Sequence, residues 1–104
     1  MPAGTLVPTA LLERAAFRFR LLGEPARLQL LNLLSRHDEL PVQDLADAAD
    51  LSHANASKHL RLMESAGLVA RRKDGLHAFY RIADPTLSGV CLLVCGQLQR
   101  EAAA

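Results

Sequence analysis

Six side chains between residues 52 and 61 have the chemistry needed to bind a polyanion and to read the edges of bases. They are Ser52, His53, Asn55, Ser57, Lys58 and Arg61, and the segment contains no acidic residue. Hydroxyl and amide groups hydrogen-bond to base edges, while lysine and arginine pair with phosphates. A second, basic group follows in Arg71, Arg72, Lys73, His77 and Arg81. Together the two groups predict a surface that binds double-stranded DNA.

The distribution of charge is more informative than its total, because the net charge of the 104-residue chain is only +1. Residues 1–36 carry a net charge of +3, residues 37–56 of −5, residues 57–82 of +4 and the remainder of −1. A positive zone beside an acidic one suits a protein that offers one face to a polyanion, although ordinary solvated surface gives similar totals. Half of the residues are apolar, which is enough for a core without disulfides or a structural metal.

The first group lies on a predicted helix within residues 51–68. Ser52 is a favoured N-cap and Gly67 a favoured residue just beyond the C-terminus. Apolar side chains recur on one face at Ala56, Leu60 and Met63. A tight turn at residues 50–52 joins this helix to a preceding one that begins at Pro41, which predicts a helix-turn-helix. By spacing alone, a plain pair of helices inside a bundle is the alternative.

The second group lies on a predicted β-hairpin. Two strand-like runs, residues 69–73 and 76–82, are separated by Asp74 and Gly75, and Asp-Gly between strands is a strong hairpin signal. A helix-turn-helix followed by a basic hairpin is a winged helix, whose wing lies along phosphates or in a minor groove. Basic residues can also merely protect an exposed strand edge. Their position directly after the polar helix favours DNA binding.

The remaining segments complete a mainly helical, winged helix-turn-helix domain predicted over residues 11–100. Further helices are predicted over residues 11–22 and 26–36 and, after the wing, from Pro85. The first and last of the five helices carry wide apolar faces that the rest of the chain cannot cover, which predicts a homodimer formed by these two helices. Residues 1–10 are predicted to be a flexible tail, and residues 101–104 to fray.

Other classes of protein fit the sequence less well. Two cysteines, the lack of an export signal and the lack of a membrane-length apolar run predict a cytoplasmic protein with reduced thiols and no membrane partner. The sequence has no Gly-rich phosphate loop, nucleophile elbow or paired carboxylates in an apolar setting, so we predict that it is not an enzyme. A winged-helix module that binds protein instead of DNA is an alternative, but the acid-free helix face and basic wing favour DNA.

The chain resembles the arsenic-repressor (ArsR/SmtB) family in the runs LGEPARLQLLNLL, ELPVQDLADAADLSHANASKHLRLMESAGLV and ARRKDGLHAFYRI. The resemblance implies a homodimer that binds an imperfect inverted repeat and represses transcription until an inducer releases it. It also implies that His53, Asn55, Ser57 and Lys58 contact bases and phosphates. His59 matches the family's His-Leu pair, which implies coupling of this helix to the last one; the alternative is a core-edge residue with one hydrogen bond.

The resemblance leaves the inducer open. The family's cysteine site at the third helix is absent, since Pro41 and Gln43 stand in place of the thiols. Its zinc site on the last helix is absent too, because the matching positions are Asp84, Thr86, Gln97 and Arg100, and arginine does not bind a cation. The second helix also lacks the cysteine that redox-sensing relatives carry.

Cys91 and Cys95 remain, one turn apart on the last helix. They could hold a soft metal or metalloid ion jointly if a partner chain supplied further ligands. The alternatives are that both cysteines merely fill the dimer interface, or that the protein has no cofactor and responds through a co-regulator protein.

A DNA-release screen distinguishes these possibilities. The wild type and the Cys91→Ser/Cys95→Ser variant would be tested for release from DNA by arsenite, cadmium, zinc, nickel, peroxide and polysulfide.

Overall fold

A computed structural model describes residues 6–103 of the chain. Within them, five helices and three strands follow one another in this order: α1 (Thr9–Leu22), α2 (Pro25–Leu34), β1 (Leu40–Pro41), α3 (Val42–Ala48), α4 (His53–Ser65), β2 (Val69–Asp74), β3 (His77–Ile82) and α5 (Pro85–Ala103). This order confirms the predicted winged helix-turn-helix. The predicted tail over residues 1–5 and predicted fraying at residue 104 fall outside the described residues.

The bounds of several elements differ from the prediction. The first helix begins at Thr9, two residues early, and the last helix extends through Ala103, into the segment that is predicted to fray. The strand β1 was not predicted; its two residues pair with β3 and make the wing part of a three-stranded sheet in the order β1-β3-β2. A two-residue strand that begins with leucine and ends with proline has too short a pattern to reveal itself in the sequence.

The core is built on the leucines of α2, because Leu30, Leu31 and Leu34 are buried on one side of this helix and the partly buried Leu28 and Leu33 pack beside them. The inward faces of α3 and α4 and the base of the wing pack around them. Their buried side chains are Val42, Leu45, Ala46, Ala56, Leu60, Met63, Leu68, Val69 and Tyr80. The predicted apolar stripe of α4 is therefore confirmed, and its burial leaves the polar side of that helix facing outward.

The two helices of the helix-turn-helix, α3 and α4, end in similar turns. After α3, Asp50 adopts a positive φ of 54°, and the Leu51 N–H donates to the carbonyl of Ala46 at 2.9 Å. After α4, Gly67 has a φ of 79°, and the Leu68 N–H donates to the carbonyl of Met63 at 3.0 Å. Both are helix-ending turns in which a left-handed residue reverses the chain, and aspartate at the first position tolerates that conformation better than most side chains.

The wing has its turn one residue later than predicted. Asp74 pairs with His77, so the two loop residues are Gly75 and Leu76 instead of Asp74 and Gly75. Gly75 has a φ of 61°, which a two-residue hairpin of type II′ requires at its first loop position. The predicted alternation in the second strand is unaffected, since Tyr80 is buried while His77 and Arg81 are exposed.

The apolar faces predicted on the first and last helices are uncovered. In α1, Leu11, Leu12 and Phe19 are exposed, and in α5 the same holds for Val94 and Leu98, which are 55% and 57% exposed. Contiguous exposed apolar surface of this kind marks an interaction site. None of the helices described is long and apolar enough to cross a membrane.

Asp84 joins α1 to the start of α5. Its carboxylate accepts the Thr86 N–H at 3.0 Å and the Thr86 hydroxyl, and it pairs with the Arg18 guanidinium at 3.0 Å. These donors hold the pKa of Asp84 below its ordinary value, with the Thr86 hydroxyl as the largest cause, the backbone N–H groups of Thr86 and Leu87 next, and Arg18 after them. The ionised form is therefore more favourable in the folded chain than in the unfolded one.

We expect Asp84→Asn to lower the free energy of unfolding by about 1–2 kcal/mol at pH 7, because asparagine still caps the helix but no longer pairs with Arg18. Since the folded-state pKa of Asp84 is depressed, its contribution exists above the unfolded pKa and is lost as pH falls through the folded value. Urea unfolding at pH 7 and pH 3 should therefore show a difference that shrinks in acid. Asp38→Asn is the exposed control, and a difference independent of pH would contradict this account.

Candidate nucleic-acid interface

The side of α4 that faces the wing carries one row of the predicted residues. Ser52 caps the helix, as predicted, by accepting the Asn55 N–H at 3.1 Å. His53, Ser57 and Arg61 recur every four residues, so they lie above one another on one side of the helix. Lys58 is exposed on the outer side, and Asn55 is exposed beyond it, on the edge that faces away from the wing.

A groove of about 460 Å³ lies between this row and the wing. It brings together six of the predicted residues, namely His53, Ser57, Arg61, Arg71, Lys73 and His77. Gln43 from α3 and Leu76 from the turn of the wing also line it, and neither was predicted. Gln43 could have been predicted, because it lies on the polar side of α3, away from the buried apolar residues of that helix. Leu76 could not, because the sequence places it in a strand, whereas it lies in the loop of the hairpin. No carboxylate lies among the described residues that line the groove.

Arg71 occupies a half-buried position in this groove. Its Nε is buried and has no hydrogen-bond partner among residues 6–103. Burial raises the pKa of the nearby Tyr80, as does the carboxylate of Glu64, while the guanidinium groups of Arg71 and Arg61 act in the opposite direction. Tyr80 therefore contributes no charge to the floor of the groove at neutral pH.

Arg72 and Arg81 lie on the opposite face of the wing from Arg71 and Lys73. Successive side chains of a strand alternate, and the pairing of Arg72 with Phe79 and of Ala70 with Arg81 places both arginines on that side. The Arg72 guanidinium is already engaged, since it donates to both carboxylate oxygens of Glu39 at 2.6 and 3.1 Å. The structure therefore does not bring these two predicted DNA contacts into the groove.

His59 contacts α2 instead of α5. Its Nδ1 accepts a hydrogen bond from Nε of Arg27 at 3.1 Å, and its Nε2 lies 4.0 Å from Glu24. Arg27 also pairs with Glu24 at 3.3 Å and donates to the carbonyl of Leu21 at 3.2 Å. This cluster joins the end of α1, the start of α2 and the middle of α4, so the partner of His59 differs from the last helix that the family resemblance implies.

Cys91 and Cys95 lie beside an apolar cavity of about 230 Å³ between α5 and the α1–α2 corner, whose lining includes Phe19, Leu22 and Leu28. Burial raises the pKa of the Cys91 thiol, and Cys95 raises it further. A raised pKa disfavours the thiolate that binds soft ions. Among the residues described, no group of three or more His, Cys, Asp or Glu side chains is placed to hold a metal ion. Thiol sensing stays a prediction, one that requires ligands from a partner chain.

Comparison with known proteins places this geometry in a class. A family model for a helix-turn-helix domain matches residues 22–72. The chain is 34% identical over 82 residues to an HTH-type transcriptional regulator of Methanocaldococcus jannaschii, covering 79% of this chain and 92% of that protein. It is 37% identical over 89 residues to a transcriptional repressor SmtB homolog of Synechocystis, covering 86% of this chain and 67% of the relative.

A solved structure is similar over almost the whole fold. It is a fragment of a Mycobacterium bovis protein, the homodimeric winged helix-turn-helix DNA-binding domain of a possible ArsR-family transcriptional regulator. The TM-score is 0.81 at 31% identity, with 97% of this chain and 94% of that chain covered. The fold and these relatives define a winged helix-turn-helix transcriptional regulator. Within that class, the chain belongs to the ArsR/SmtB family.

Proposed function

We propose that this protein is a homodimeric, sequence-specific transcriptional repressor that presents α4 to the major groove of its operator and the wing to the adjacent backbone. The observation that carries the proposal is the groove between α4 and the wing, which is lined by Arg61, Arg71 and Lys73 and by no described carboxylate. A short helix with a polar outer face fits the major groove, and cations flanking it neutralise phosphates. This combination is what binding to a DNA duplex requires.

Arg71 is the strongest candidate for a phosphate contact. Its side chain lines the groove, and its Nε has no hydrogen-bond partner among the described residues, so Arg71 is not held by a carboxylate as Arg72 is. Lys73 and Arg61 add positive charge on either side of it, and His53, Ser57 and His77 supply further donors. We assign these residues to the backbone-binding part of the surface, since cations beside a helix position a protein without reading sequence.

Asn55 and Lys58 form the outward part of α4 in the proposal. Both are exposed. An asparagine amide can bind adenine through two hydrogen bonds, whereas a lysine ammonium can bind guanine or a phosphate. Ser52 is assigned mainly to capping, because its hydroxyl oxygen accepts the Asn55 N–H. Arg72 and Arg81 are not assigned to the groove.

The second copy is proposed to cover the apolar faces of α1 and α5. The exposed side chains Phe19, Val94 and Leu98 support this, as does the homodimeric state of the similar M. bovis domain. An isologous pairing of the same two helices would place two α4 helices on one side of the dimer, which suits an inverted repeat. An inducer bound at Cys91 and Cys95 is a finer prediction with less support, because the described residues offer no third ligand.

A protein partner in place of DNA has weaker support. A protein-binding wing has no need for an acid-free cationic groove, and surfaces that bind proteins are usually depleted of lysine. The groove is more polar than the apolar faces of α1 and α5, which are the surfaces suited to protein contact.

The salt dependence of DNA binding tests the assignment of Arg71. For a duplex selected from a random library with the full chain, we expect Arg71→Gln to weaken binding about tenfold and to lower the log–log salt slope by about 0.9, because one phosphate contact is lost. Fluorescence anisotropy at several salt concentrations measures both quantities. Arg100→Gln, on α5, should change neither. An unchanged slope in Arg71→Gln would remove Arg71 from the phosphate-binding set.

The proposed recognition of a base pair by Asn55 is tested by substitution. We expect Asn55→Ala to cost about 1–3 kcal/mol on the selected duplex and little on random DNA, because the lost hydrogen bonds are specific to one base pair. Competition binding with the two duplexes gives the difference. Asn32→Ala, the same substitution at an exposed asparagine of α2, is the control. Equal losses on both duplexes would mean that Asn55 only positions the helix.

The dimer is tested with a charge in the apolar face of α5. Wild-type protein should sediment as a dimer at micromolar concentration, whereas Val94→Glu should sediment mainly as a monomer, because a carboxylate would have to be buried in the seam. Gln99→Glu, an exposed position off the apolar stripe, should stay dimeric. Analytical ultracentrifugation distinguishes the species, and a dimeric Val94→Glu variant would show that α5 does not form the seam.

A further inference from the structure

We infer that Glu39 and Arg72 act as positioning residues, which fasten the wing to the helix-turn-helix at the angle that DNA binding requires. The inference rests on the proposed DNA-binding function, and it gives Arg72 a role different from the phosphate contact that the sequence predicts.

Arg72 contacts three side chains of the protein. Two of its nitrogens donate to the two carboxylate oxygens of Glu39, Nη2 at 2.6 Å and Nε at 3.1 Å. Its guanidinium carbon lies 4.7 Å from the centre of the Phe79 ring, and Nη1 is 3.5 Å from a carboxylate oxygen of Asp74. A bidentate pair stacked on an aromatic ring restricts the arginine in two directions, which a single exposed ion pair does not.

The place of Glu39 in the chain explains why this pair matters for the wing. Glu39 directly precedes β1, and β1 leads into α3 without an intervening residue. The backbone attachment of β1 to the wing comprises only Leu40 opposite Tyr80 and Pro41 opposite Phe79, and proline has no N–H to donate. The side-chain pair therefore adds a connection between the start of the helix-turn-helix and the outer face of the wing, beyond the two backbone pairs of β1 and the core packing of Val69 and Tyr80.

The pair also leaves the groove's charge intact. Arg72 points away from Arg71 and Lys73, so its neutralisation by Glu39 removes no cation from the face that lies beside α4. The hydrogen bonds from Arg72 hold the pKa of Glu39 below its ordinary value, and the charges of Arg72 and Arg81 act in the same direction. The pair is therefore ionised across the neutral range.

Two possible roles of Glu39 predict opposite effects of its substitution on DNA affinity. If Glu39 competed with phosphate for Arg72, its neutralisation would release a cation and tighten DNA binding. If the pair positions the wing, the same substitution loosens the wing and weakens binding, even though it removes a negative charge from a protein that binds a polyanion. The sign of the change therefore discriminates between the two roles.

The experiment is a double-mutant cycle with Glu39→Gln, Arg72→Gln and the double variant, each bound to the duplex selected with the wild-type chain. We expect each single variant to weaken binding about threefold to tenfold through lost preorganisation, the double variant to be no weaker than either, and the salt slope to stay unchanged. Lys73→Gln should lower the slope by about 0.9. Asp44→Asn, an exposed carboxylate of α3, controls for the removal of one negative charge.

Hydrogen exchange provides a readout independent of DNA. Glu39→Gln should accelerate exchange of the backbone amides of β3 where they pair with β1, while the melting temperature stays near that of the wild type. Tighter binding by Glu39→Gln, a lowered slope in Arg72→Gln or unchanged binding and exchange in both would overturn the inference. Failure of the wild type to prefer any duplex would instead refute the proposed function, and exchange would still test the fastening of the wing.

Discussion

The burial of Tyr80 determines where the charged side chains of the wing point. Tyr80 is 1% exposed and lies opposite Arg71 on one side and Leu40 on the other. Because side chains alternate along a strand and cross-strand neighbours share a face, Arg71 and Lys73 follow Tyr80 towards α4, whereas Arg72 is directed to the opposite face. The burial of one side chain thereby places Arg71 and Lys73 on the face beside α4 and Arg72 on the opposite face.

The arginines differ in their partners, which charge totals do not reveal. Arg18 pairs with Asp84, Arg27 with Glu24, and Arg72 with Glu39, and each pair lies where two or more elements meet. Exposed pairs add little to stability, but a partner still fixes the direction of a long side chain. Arg71, by contrast, has a buried Nε without a described partner. The net charge of +4 over residues 57–82 combines both kinds.

Sequence signals predicted those features whose causes lie within a few residues. Ser52, Gly67, the α4 stripe and the Asp-Gly hairpin are local, and they located the helix-turn-helix and the wing. The partner of Arg72 is 33 residues away, so no local pattern points to Glu39. The same applies to β1, which exists only because β3 offers it an edge. The turn was placed one residue early because Asp-Gly predicts a hairpin better than it predicts which two residues form its loop.

Side-chain contacts link the helices that carry the apolar faces, α1 and α5, to α4, which lines the polar groove. Arg18 ties α1 to the start of α5, so the two helices that would form the seam are joined within one chain. Arg27 ties the last turn of α1 to His59 on α4, through hydrogen bonds of 3.2 Å to the Leu21 carbonyl and 3.1 Å to the imidazole. A packed core transmits displacement instead of absorbing it. In the proposed dimer, the way two copies meet along α1 and α5 would therefore also set the separation and angle of their two α4 helices, and with them the spacing of the DNA half-sites.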